Sequence, residues 1–197
     1  YISPDDPNSF VNDVKKCLDE NGIWILQMAY LPSMLEKNAF DNIGHEHIEY
    51  YSFKSLNQLI EKHGLTIFDV KINDVYGGSI RAYIKLKENT SFNITPAIDD
   101  ILNFEKKLGL DKKFVYEEFA SRVKKIKEKT LNFLKNETNN GKIIYGYGAS
   151  TKGNTLLQFF NLDSSIIKKI SDRDPNKWNK KTVGTGIPII SEEQARK

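Results

Sequence analysis

Apolar residues recur at helical spacing near the start of the chain, at Phe10, Val11, Val14, Cys17 and Leu18. The turn cluster from Pro4 to Asn8 precedes them, with Asn8 read as the cap and Cys17 on the apolar side. Asn21-Gly22 stops that helix, and the short apolar run Ile23–Met28 predicts a strand buried on both faces in a parallel sheet. Helix, glycine turn and buried strand make one αβ unit of a doubly wound fold. The connection from Ala29 to Ser52 shows little periodicity. A helix then runs from Ser52 through His63, carrying Leu56, Leu59 and Ile60, and Gly64 closes it; His63 reads as a favourable helix-end charge. Leu65–Val75 and Ser79–Leu86 read as two strands joined tightly through Tyr76-Gly77-Gly78.

The pattern breaks between Asn89 and Pro96, which places a domain boundary there. Ala97–Thr138 is charged and helical in period with a break near Gly109 and Asp111, predicting a linker over 91–140. Its apolar seam is too irregular for a coiled coil. Lys142–Tyr147 reads as a buried strand, Gly146–Asn154 as a glycine-rich turn and Thr155–Phe160 as a helix. A second strand, Ile166–Ser171, ends in Asp172-Arg173-Asp174. Gly184–Ile190 reads as a turn and an edge strand, and Ser191-Glu192-Glu193 opens a terminal helix. The whole is an α/β protein in three parts: 1–90, 91–140 and 141–197.

Hydrophobic residues make up 39% of the 197 positions and aromatics 11%, enough for a globular core. The net charge of +3 is interspersed and forms no nucleic-acid stripe. A mild basic excess at 106–129 and 168–181 suits an anionic ligand, and a solvated helix face explains the first of these equally well. The single cysteine excludes a disulfide framework and points to a reducing, cytoplasmic setting. No apolar run is long enough to span a membrane, and no signal-peptide pattern precedes the first helix. The chain starts at Tyr1 without a methionine and reads as a fragment; nothing in it sets an oligomeric state.

Chemistry concentrates in Asp41–Ser52, where His45 and His47 flank Glu46 and are followed by Glu49, Tyr50 and Tyr51. Histidine exchanges a proton near neutral pH and a neighbouring carboxylate fixes its tautomer, so His47 with Glu46 reads as a base and its orienter. A His-x-His pair also suits a metal, but no further ligands stand at suggestive spacing; a polar surface loop is the other reading. The second centre is the glycine-rich turn. Glycines let the backbone approach an anion, and the helix start beside Ser150, Thr151 and Lys152 suits a phosphate. Asp172, one βαβ unit downstream, stands where an acid takes a ribose hydroxyl. Gly-Lys-Ser/Thr is absent and the third glycine is displaced, so neither a Walker loop nor a NAD site is implied; a nicotinamide-dependent reductase would rest on Asp172 alone. Arg81 is an anion contact or a surface residue.

Four stretches in order resemble one family. Asp41–Ser52 resembles DxIxHEHxxYxS, Gly77–Arg81 resembles GGSxR, Tyr145–Asn154 resembles YGAxxKGN, and Asp172–Ile189 resembles D-R-x-P-x-K followed by G-T-x-I-P-I. Together they are similar to the C-methyltransferases that act on nucleotide-linked keto-deoxysugars. The resemblance implies the second half of a class I methyltransferase-like sheet followed by a Rossmann-like C-terminal domain. It implies S-adenosylmethionine bound mainly upstream of this chain, and zinc only in an N-terminal module that is not in this sequence, so that this piece alone would be inactive. It also implies His47 as the base that deprotonates the carbon next to a ketone, with Glu46 and His45 in support. Ser79, Arg81, Gly146, Gly148, Ala149, Ser150, Thr151, Lys152, Gly153, Asn154, Asp172 and Lys177 would contact the nucleotide sugar. Family members with a tyrosine just before His-Glu-His use it in the site; here Gly44 stands there. A non-catalytic nucleotide-binding α/β module is the alternative from another class.

Overall fold

Asp6, not Asn8, caps the first helix. Its carboxylate accepts the Asn8 amide at 2.9 Å, and Pro7 occupies the first turn, where its missing N–H costs nothing. The structure is a computed structural model that describes residues 6–44 and 47–196. Its first unit takes in residues 1–40 and 46–119, and its second 41–45 and 120–197.

In the first unit, α1 (Pro7–Cys17) leads into β1 (Ile23–Ala29) and a six-residue helix α2 (Leu31–Glu36), which structures the start of the connection read as aperiodic. α3 (Phe53–Lys62), β2 (Leu65–Asn73), β3 (Ser79–Leu86) and α4 (Ala97–Leu108) follow. The strand order is β1-β3-β2, and β3 is antiparallel to both neighbours. β1 and β2 therefore run the same way with a reversed strand inserted between them.

Two expectations for β1 are corrected. It pairs antiparallel rather than parallel, with Ile23 opposite Lys85 and Ala29 opposite Ser79, and it is not buried on both faces, since Ile25 is 53% exposed. Trp24, Leu26 and Met28 face the core, whereas Ile23 and Ile25 do not. An apolar run reads the same whether one face or two are covered, and β1 lies at the edge of this sheet. Cys17 is likewise exposed rather than on the apolar side, because it is the last residue of its helix.

The core joins Val11 of α1, Phe53, Leu56 and Ile60 of α3, Ile101 of α4, and Leu65, Ile67, Val70, Ile80, Ala82 and Ile84 of the sheet. Each large side chain buried there contributes roughly 1.5–3 kcal/mol over its exposed state. Ser52 caps α3 through the Ser55 amide at 3.1 Å, and Ser55 returns a bond to the Ser52 amide. Gly78 holds a position closed to other residues: its φ is +127°, and a Cβ would lie 2.3 Å from that of Ser33.

The division between the units falls inside α5 (Lys113–Asn139), which follows the left-handed Gly109 cap of α4. The second unit continues with β4 (Ile144–Tyr147), α6 (Thr151–Phe160), β5 (Ile167–Ser171), β6 (Ile189–Ile190) and α7 (Glu192–Ala195). Its three strands are parallel in the order β4-β5-β6, with α6 as the crossover between the first two. β4 is shorter than expected and lies at an edge, so Tyr147 is 68% exposed rather than buried. α6 starts at Thr151, four residues ahead of the expected start, because Ser150 caps it. Phe160, Leu162, Ile167, Ile170, Ile187 and Ile189 are buried in this unit.

Candidate functional site

The candidate residues fall into two groups. In the first unit, His47 is half-buried with its ring centroid 6.5 Å from that of Tyr50, the planes tilted by 34°. Tyr51 donates its hydroxyl to Glu49, and burial followed by that acid neighbour pushes the phenol above its ordinary value of 10.0. Tyr51 therefore stays a neutral donor at any physiological pH. His45 and Glu46 lie outside the described residues.

Ser79 and Arg81 both lie on β3. The Ser79 hydroxyl is spent on the turn before it, donating to the Val75 carbonyl at 2.8 Å, and the residue is buried. Arg81 donates its Nε to Gln27 of β1 at 2.8 Å, a cross-strand bond on the face opposite the core. β1 itself runs directly into Leu31-Pro32 of α2, and a proline has no amide to offer. The turn after β1 thus offers no glycine loop to an adenosyl cofactor.

In the second unit, the turn after β4 is shaped by Gly148, whose φ of +87° is a left-handed conformation. Ser150 takes the Gly153 amide at 3.0 Å and Asn154 bonds back to the Ser150 carbonyl at 2.9 Å. The first two helical amides, of Thr151 and Lys152, stand at the positive end of α6, where an anion is stabilised. Asn154 holds its Oδ1 buried without a hydrogen-bond partner among the described residues, an acceptor fitted to a hydroxyl or N–H donor.

Asp172 is turned inward. Its carboxylate accepts the Ala149 amide at 2.7 Å, the Asp174 amide at 2.9 Å and the Lys177 ammonium at 3.1 Å. The two amides and Lys177 outweigh the cost of burial and hold its pKa below 3.8. The carbonyl of the same residue accepts the Trp178 indole at 2.7 Å. Asp172 and Lys177 thereby brace the glycine-rich turn from the end of β5, and the Ala149 amide is taken by this brace.

Lys152 makes the connection that the sequence did not disclose. Its ammonium donates to Asn42 Oδ1 at 2.5 Å and lies 3.6 Å from the Asp41 carboxylate. The opening residues of the histidine stretch thus belong to the second unit and sit on the first turn of α6. Among the described residues, a Cβ on Gly44 would meet Thr155 Oγ1 alone, at 3.9 Å, an ordinary contact distance. Asp41 and Asn42 were legible as the start of a motif, but their partner lies 110 residues away from Asn42, and no local signal names it. Glu105, buried in the first unit, gave no sequence signal beyond a charge on a helix. Among the described residues, no group of three or more His, Cys, Asp or Glu could hold a metal ion.

Two comparisons bear on this arrangement. Residues 74–197 match the family model described as C-methyltransferase C-terminal domain. Over 190 residues, 96% of this chain, the sequence is 35% identical to C-methyltransferase NovU of Streptomyces niveus. The chain spans 45% of that relative's length.

Proposed function

Because the chain belongs to the C-methyltransferase C-terminal domain family, we propose that it is part of an S-adenosylmethionine-dependent enzyme that methylates carbon on a nucleotide-linked keto-sugar. Residues 1–90 are the later part of the methyltransferase domain, 91–140 a helical linker and 141–197 the Rossmann-like C-terminal domain. The bond between Lys152 and Asn42 supports this reading, since within the second unit it ties residues 41–44, the opening of the histidine stretch, to the first turn of α6.

His47 is the base. Its neutral imidazole takes the proton from the carbon next to the ketone, and the bonding pair moves to leave an enolate. Glu46 orients the ring and His45 supports it. The amides at the start of α6, with Lys152, receive the pyrophosphate, and Asn154 takes a donor of the nucleoside. When bound, S-adenosylmethionine supplies an electrophilic methyl group; it is held by parts of the protein outside these residues.

The test uses the full natural protein with a nucleotide-linked keto-sugar in deuterated water, without the methyl donor. Wild type should exchange the proton next to the ketone. His47→Ala should slow that exchange at least ~100-fold, in line with general-base contributions, with nucleotide affinity within about twofold of wild type. Lys152→Met should weaken nucleotide binding about tenfold, the loss of one charge-assisted contact. Exchange retained in His47→Ala overturns the base, and a wild type that binds nucleotide without ever exchanging supports a plain binding module instead.

A further inference from the structure

Glu105 is a buried carboxylate, 5% exposed, on α4. It accepts the Tyr30 hydroxyl at 2.9 Å, the Phe53 amide, and the Lys54 amide at 3.0 Å. Phe53 and Lys54 are the first two residues of α3, and Ser52 already satisfies the third amide of that turn. Among the described residues, this buried carboxyl is given over to neutral donors. A helix cap alone does not need a carboxyl group from another element, because an exposed Ser, Thr or Asn cap does the same work at less cost.

The position of the donors explains the expense. Tyr30 closes β1 and Phe53 opens α3, so one carboxylate holds the two ends of the connection that carries His47. Beside it, the Leu31 amide donates to the Tyr51 carbonyl at 3.0 Å, and the Tyr30 amide to the Gly78 carbonyl at 3.2 Å. Tyr30 is 1% exposed, so its ring is fixed by packing as well as by its hydroxyl. The two ends are therefore pinned to the sheet and to α3, and Glu105 is the side chain that bonds to both.

We infer that Glu105 is a positioning residue: it closes the neck of the loop from Leu31 to Ser52 and so fixes where His47 stands. Its role in catalysis rests on His47 being the base, but the pinning of the loop does not. Glu105→Gln keeps the volume and one acceptor oxygen, but its NH2 replaces an acceptor, so that either the Lys54 amide or the Tyr30 and Phe53 donors lose theirs.

The experiment is backbone hydrogen exchange on the full natural protein, read by peptides over 31–44, 47–54, 65–73 and 79–86, together with the rate of substrate proton exchange. In Glu105→Gln, exchange over 31–54 should rise at least about tenfold while β2 and β3 keep their protection. The rate constant for proton abstraction should fall about tenfold with little change in KM for the nucleotide sugar. Tyr30→Phe, which removes only one hydroxyl, should do the same about threefold and remains available if the first variant does not fold. Unchanged exchange over 31–54, or an equal rise in β2 and β3, overturns the inference. If His47→Ala retains activity while Glu105→Gln still loosens the loop, the base assignment has failed and the neck has not.

Discussion

Asp172 shows how one side chain shapes a glycine-rich turn from behind. Its carboxylate holds Ala149 from behind and is held in turn by Lys177, so the turn keeps its form before anything binds. Because its folded pKa lies below the ordinary 3.8, the unfolded chain takes up the proton first as pH falls. The stability it contributes is complete above about pH 5 and is lost as pH falls through 3.8 toward the folded value. Urea midpoints of wild type and Asp172→Asn should therefore differ by a constant amount from pH 7 to about pH 5 and converge below about pH 4. A gap that stays constant to pH 2.5 would show that the carboxylate charge is not what braces the turn.

Elements differ in how much of their surroundings their own residues reveal. α3 was legible to its cap, because Ser52, Leu56, Ile60 and Gly64 mark its start, face and end. β1 was not, since Ile25 and Ile84 are both isoleucines in apolar strands yet stand 53% and 0% exposed. Ile84→Ala should cost about 2–5 kcal/mol, whereas Ile25→Thr should stay within about 0.5 kcal/mol. Thermal or urea unfolding of the two variants checks this contrast. A large loss at Ile25 would mean that its face is covered in the natural protein.

For the molecule as a whole, each of the two units holds one tryptophan, Trp24 in the first and Trp178 in the second. Trp24 packs edge-on against Phe10 at 6.0 Å, and Trp178 donates to the Asp172 carbonyl, so each reports its own unit. Fluorescence of the single-tryptophan variants Trp178→Phe and Trp24→Phe should follow two denaturant transitions. Ile84→Ala should shift the first by more than the second; equal shifts would show that the units unfold as one cooperative body. Among the described residues, no helix is long and apolar enough to cross a membrane.

The sequence by itself determined the α/β class, most helix ends, the break at Gly109 and the family, because caps, periodicity and motif spacing are local. Only the tertiary structure decided the reversed strand between β1 and β2, the exposed edges at β1 and β4, the inward turn of Asp172, and the pairings of Lys152 with Asn42 and of Glu105 with Tyr30. Strand direction and edge position depend on which neighbour a strand finds, and a charged side chain's partner depends on residues tens of positions away. Neither leaves a mark in the local pattern of the chain.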